Sequence, residues 1–261
     1  MIPSMSAHHL FIASLVFWAS LSGTRCDVFA QARTQVDGPQ VPFVGCESDG
    51  QVGPLKAPKE RVKHLAVPAE FVNRLAYYKA EEGFGVLAPR GWHCFSTYGS
   101  SGSNLYVTPE PIESAALFSS EWKGFSGQAI QVSVSIGDTS GRFSVARTIA
   151  RVFPDHKQFV QDVVAEGIEP ASSFPSGPYP ADRLTYRNKK VVEFETPPHL
   201  EGLGTSSMLR ANSSPIRGVA ILLGKEPSLV QASVRLSAES QNLIRTIVRQ
   251  IEREAAESDG Q

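Results

Sequence analysis

Two segments roughly a hundred residues apart restrict the fold most. In the first, Ile130, Val132, Val134 and Ile136 alternate with Gln131, Ser133 and Ser135. In the second, Val230, Ala232, Val234 and Leu236 alternate with Gln231, Ser233 and Arg235. Successive side chains of a strand point to opposite faces of its sheet. A strict period of two therefore predicts strands with one buried face and one wet face. The two apolar rows are expected to share one core.

Other strands come as hairpins rather than alternating with helices. Trp92–Tyr98 and Asn104–Thr108 flank the Gly/Ser segment 99–103, read as a hairpin with a wide loop. Arg183–Tyr186 and Val191–Glu195 flank Arg187–Lys190, and Gly218–Leu223 precedes the second period-two segment through a turn at 224–227. Helical spacing marks Phe143–Phe153, stopped by Pro154, and His156–Ile168, stopped near Gly167. Pro68 predicts a helix start, with Phe71, Val72, Leu75 and Ala76 as its apolar face. The last helix, capped by Ser237, presents Leu243, Ile244, Ile247, Val248 and Ile251 inward and Arg245, Arg249 and Arg253 outward. Its tail from Glu254 is expected to fray. The expected class is α+β: a mainly antiparallel sheet with amphipathic helices packed on one face, preceded by an irregular N-terminal arm.

The N-terminus reads as an export signal. Leu10–Leu21 is an apolar run of about twelve residues, short of the roughly 20 that cross a bilayer. Ala30-Gln31-Ala32 has the small-x-small form of a cleavage site. An uncleaved anchor and a lipid-modified Cys26 are the alternatives; Arg25 beside Cys26 fits the second poorly. The expected organisation is a signal peptide over 1–32, an extended arm over 33–66 and one α+β domain over 67–261. The arm carries Pro39, Pro42, Pro54 and Pro58 with no sustained apolar period, which predicts mostly loop.

Cleavage after Ala32 would remove Cys26 and leave Cys46 and Cys94. In an oxidising compartment a remaining pair most simply forms a disulfide. Closing that loop stabilises by about 4 kcal/mol on the chain-entropy model. The alternatives are two unrelated free thiols, or a thiol nucleophile at Cys94 beside His93, although neighbours on a strand point to opposite faces.

Composition narrows function without naming one. The formal charge is −1, and losing residues 1–32 removes one cation and one anion. Nothing here provides the basic excess of a nucleic-acid surface. Gly124-Phe125-Ser126-Gly127-Gln128 fails the serine-hydrolase elbow at its last position. His64, His93, His156 and His199 lack metal-site spacing, so no metal and no cofactor are expected. Candidate ligand contacts are Trp92 and Tyr98, which share a strand face and with Tyr106 nearby could form an aromatic platform for a sugar or peptide, and the hairpin residues Ser100 and Ser101, whose backbone N–H groups could cradle an anion. The bland reading of the same residues is a half-buried aromatic cluster and a solvated turn.

The resulting expectation is an exported, periplasmic or secreted, non-enzymatic binding or structural protein of the cell envelope or extracellular space, with no membrane span after cleavage. The alternative is an exported hydrolase with a site built from dispersed residues, which convergence of His93, Ser100 or Glu201 in one cleft would favour. Cleavage is directly testable: N-terminal sequencing of exported protein should begin at or within a few residues of Arg33. Recovery of the chain with Met1 intact in the membrane fraction would overturn it.

Overall fold

The computed structural model describes residues 38–260, so the export signal, Cys26 and the cleavage motif lie outside the described residues. The strands are β1 (Gln40–Gly45), β2 (Glu47–Gly50), β3 (Val62–His64), β4 (Leu75–Lys79), β5 (Val86–Pro89), β6 (His93–Gly99), β7 (Gly102–Thr108), β8 (Ala129–Ser135), β9 (Arg183–Asn188), β10 (Val191–Thr196), β11 (Ile216–Leu223) and β12 (Ser228–Arg235). The helices are α1 (Ser114–Leu117), α2 (Arg142–Val152), α3 (Lys157–Ala165) and α4 (Ile244–Asp259). The class is α+β, as the patterning predicts.

The larger sheet has eight strands in the order β2-β6-β7-β8-β12-β11-β10-β9. Two antiparallel meanders, β6-β7-β8 and β9-β10-β11-β12, meet where β8 pairs with β12. That ladder sets Ile130 opposite Val234, Val132 opposite Ala232 and Val134 opposite Val230. The two period-two rows thus form one apolar surface, and α4 covers it with Ile244, Ile247 and Ile251, joined by Leu243 of the turn before it. A four-stranded sheet, β3-β1-β4-β5, completes that core with Leu75, Tyr78 and Leu87.

The opposite face is not wet. Gln131 is 4% exposed, Gln231 8%, Ser233 0% and Arg235 1%. Helix α2 covers part of this face with Val145, Ile149 and Val152 against Phe194, Leu222 and Leu229. Segments 123–128 and 203–210 cover the rest, and their backbone groups explain why polar side chains lie beneath. Gln131 accepts from the Met208 N–H at 2.7 Å, and Gln231 donates to the Leu203 carbonyl at 3.1 Å. The Arg235 guanidinium donates to the carbonyls of Phe125, Gly127 and Arg210. Buried backbone polar groups need partners, and strand side chains supply them here. The helices, expected on one face, therefore divide between two: α4 on one, α2 and α3 on the other.

Three local expectations change for identifiable reasons. The helix expected from Pro68 stops after a single 3-10 turn, and Leu75–Lys79 becomes β4, pairing with β1 and β5. A short apolar run fits both periods, and the long-range ladder decides between them. The 99–103 loop is a two-residue turn, because Gly102 adopts φ 136° and comes so close to Val134 that a side chain would strike its carbonyl. The tail after Glu254 remains helical to Asp259. Glu254 accepts from the Tyr77 hydroxyl at 2.8 Å, and Asp259 accepts from the Gly224 N–H and from Lys190.

The segment before residue 67, expected to be mostly loop, contributes β1, β2 and β3 to the two sheets. Strand β1 lies parallel to β4, and β2 lies parallel to β6, so the chain crosses from the small sheet to the large one at Cys46. Cys46 and Cys94 are disulfide-bonded, with Cα atoms 5.4 Å apart. The bridge ties that crossing to β6. Replacing both residues by Ser should destabilise the protein by up to about 4 kcal/mol. Hydrogen exchange should rise over Gln40–Gly50 while the β11–β12 amides keep their protection. Unchanged exchange in the arm would show that strand pairing alone holds it.

Candidate functional site

The residues singled out by sequence fall in two places. Trp92 precedes β6, packs on the core and donates its backbone N–H to the Tyr78 hydroxyl at 3.0 Å. Tyr98 lies at the other end of β6, about 20 Å away at strand spacing, and donates its hydroxyl to the Gly53 carbonyl at 2.6 Å. Ser100 and Ser101 form the adjoining exposed turn. The Ser100 N–H is used by the Gln51 side chain, and the Ser101 carbonyl by the Ile136 N–H. Tyr98, Ser100 and Ser101 are thus neighbours, and Trp92 stands apart. Tyr106 belongs to the other face, where its ring meets Phe125 at 5.5 Å and Trp122 at 6.3 Å. His93 and Ser100 occupy opposite ends of β6, and Glu201 lies in the loop after β10.

A charged groove elsewhere brings functional groups together. It has a volume of about 620 Å³ and runs between the β9–β11 end of the sheet and α4. On the strand wall the ladder aligns Arg183, Glu195 and Arg217 across three adjacent strands. Arg183 donates to one oxygen of Glu195 at 2.8 Å, and Arg217 donates to the other at 2.5 Å. One row along, Glu193 accepts from Arg187 at 2.6 Å. On the helical wall stand Gln241, Asn242, Arg245 and Arg249, with Ile244 and Val248 as apolar floor. Arg245 and Arg249 are four residues apart, so they share one face of α4.

The lining holds four arginines against two glutamates. Glu195 serves both strand arginines, and Glu193 is engaged by Arg187. Arg245 and Arg249 make no ion pair with a carboxylate among the described residues. Excess guanidinium charge beside an apolar floor attracts anions, and planar forks suit carboxylate, sulfate and phosphate. Amide and hydroxyl groups of Gln241, Asn242 and Thr185 add neutral hydrogen-bonding capacity.

Glu252 of α4 lies beside Glu193, outside the lining of the groove. Burial pushes the Glu252 carboxyl above the usual carboxylate range, and the charge and hydrogen-bonding contact of Glu193 add to it. Arg187 and Arg249 oppose the shift without cancelling it.

Sequence reasoning placed Arg245 and Arg249 outward on the last helix and stopped there. A weak signal was present: like charges at i and i+4 repel and need a counter-charge from elsewhere. Arg183 and Arg217 carried none, because only the strand order brings them to the same wall.

The raised Glu252 pKa has a defined consequence. A group that binds its proton more tightly when folded supports stability at low pH and loses that support as pH rises through the folded pKa. Glu252→Gln should match the parent near pH 4 and melt above it by about pH 8, with the difference growing through the interval. A difference that is constant with pH, or negative at the alkaline end, would show that the Arg contacts outweigh burial and Glu193.

The chain matches no protein-family model, no curated protein and no solved structure, so the functional reading rests on the geometry of the groove itself.

Proposed function

We propose that this is an exported, non-enzymatic binding protein whose groove takes a ligand bearing carboxylate or sulfate groups, of the size of an acidic disaccharide or trisaccharide. The observation that carries the reading is the pair Arg245 and Arg249, charged and without carboxylate partners among the described residues, facing a wall where Arg183 and Arg217 already share Glu195. A volume of about 620 Å³ lies within the range of small-molecule sites. The neutral donors and acceptors along the groove suit sugar hydroxyls. A net charge of −1 makes the positive groove a local feature rather than a general basic surface.

Export is supported by the apolar run at Leu10–Leu21 with its small-x-small motif, and by a disulfide between the two cysteines that cleavage would leave. No helix among the described residues is long and apolar enough to cross a membrane. For the hydrolase alternative, His93, Ser100 and Glu201 line none of the cavities described.

The test uses sucrose octasulfate as the polyanionic probe and sucrose as its neutral control. The probe should bind with an affinity that falls as salt rises, and sucrose should not. Arg245→Gln combined with Arg249→Gln should weaken binding roughly tenfold to a hundredfold, in keeping with the loss of two charge-assisted contacts. Equal binding of sucrose, or an unchanged affinity in the double variant, would overturn the reading.

A further inference from the structure

A second cavity, on the opposite face of the sheet, has a different chemistry. It lies between α2, α3 and the 171–178 segment, with a volume of about 480 Å³. Its walls are the apolar side chains of Ile149, Val160, Val164 and Phe174, and Tyr186 of β9 stands exposed at its rim. The charged residues lining it are Arg151 and Lys157, with no carboxylate beside them.

The helix that carries Arg151 shows what is unusual about it. The other two arginines of α2 are satisfied: Arg142 pairs with Glu166 at 2.6 Å and Arg147 with Glu169 at 2.6 Å. Arg151 has no such partner among the described residues, and neither has Lys157. Arg151 is nonetheless held in place. Its guanidinium donates to the Gly177 carbonyl at 3.2 Å and lies 4.2 Å from the centre of the Tyr179 ring. A positioned guanidinium retains further N–H donors after one bond of this kind. Apolar walls with two cations and no carboxylate in the lining are complementary to one class of molecule, an apolar body ending in an anionic head.

We infer that this cavity binds a medium-chain carboxylate. The hydrocarbon tail lies between α2 and α3 against Val160, Val164 and Phe174, and the carboxylate meets Arg151 and Lys157. This site is separate from the arginine groove. Arg183 and Thr185 of β9 point to the α4 side, and Tyr186 points to the α2–α3 side, since neighbours on a strand alternate.

The experiment is a calorimetric titration of the purified protein with octanoate, decanoate and dodecanoate, and with dodecanol as the uncharged control, all below their aggregation limits. Burial of each methylene contributes about 0.8 kcal/mol, so affinity should tighten about fourfold per added carbon. Dodecanol should bind more weakly than dodecanoate. Arg151→Gln with Lys157→Gln should abolish that preference while leaving dodecanol binding unchanged. Val164→Trp, which fills the cavity without touching the cations, should remove binding of both. Arg245→Gln with Arg249→Gln should leave dodecanoate affinity intact, which separates this site from the groove on the other face. Affinity independent of chain length, or a carboxylate preference that survives loss of both cations, would overturn the inference.

Discussion

The pairing of β8 with β12 is the constraint on which the rest of the structure depends. It joins residues 129–135 to residues 229–235 in an uninterrupted antiparallel register. Without it the two meanders would be separate small sheets, each with an open edge. With it, eight strands form one surface, and both faces acquire enough area to hold a covering layer. A single-residue slip in this ladder would reverse both apolar rows at once, so burial itself enforces the register.

Coverage of both faces accounts for the buried polar residues of the central strands. The face opposite α4 is roofed partly by irregular backbone, and irregular backbone brings unpaired N–H and C=O groups. Gln131, Gln231 and Arg235 reach up from the strands and satisfy them. Arg235 is the extreme case: desolvation lowers its pKa, and three carbonyl acceptors, rather than a carboxylate, surround its guanidinium. A buried charge of this kind is tolerated because three of its five N–H donors, one on each nitrogen, are bonded to carbonyls.

The two grooves arise at the β9 end of the same sheet. Beyond β11 the covering helices no longer meet the strands closely, and each face is left with a channel. The chemistry of each channel follows from the helix beside it. Helix α4 turns its apolar stripe to the core, so the flank that reaches the channel carries Arg245 and Arg249. Helices α2 and α3 bring Ile149, Val160 and Val164 to theirs, with Arg151 and Lys157 among them. Alternation along β9 then assigns Arg183 to the charged side and Tyr186 to the apolar side.

The patterns that were legible in the sequence were those a single segment carries by itself. Period two placed Ile130, Val132 and Val134 together with Val230, Ala232 and Val234 in one core, and helical spacing located α2, α3 and α4. Cysteine arithmetic pointed to Cys46 and Cys94 once Cys26 was assigned to the expected export signal, and the two are bonded. The tertiary structure decided whatever depends on a distant partner. Leu75–Lys79 is a strand because β1 and β5 flank it. Gln131, Ser233 and Arg235 are buried because segments 123–128 and 203–210 return over them. Arg183, Arg217, Arg245 and Arg249 become one site because β9, β11 and α4 converge around β10. Local periodicity reports which face of a segment is apolar. It carries no information about what covers the other face, because that partner lies elsewhere in the chain.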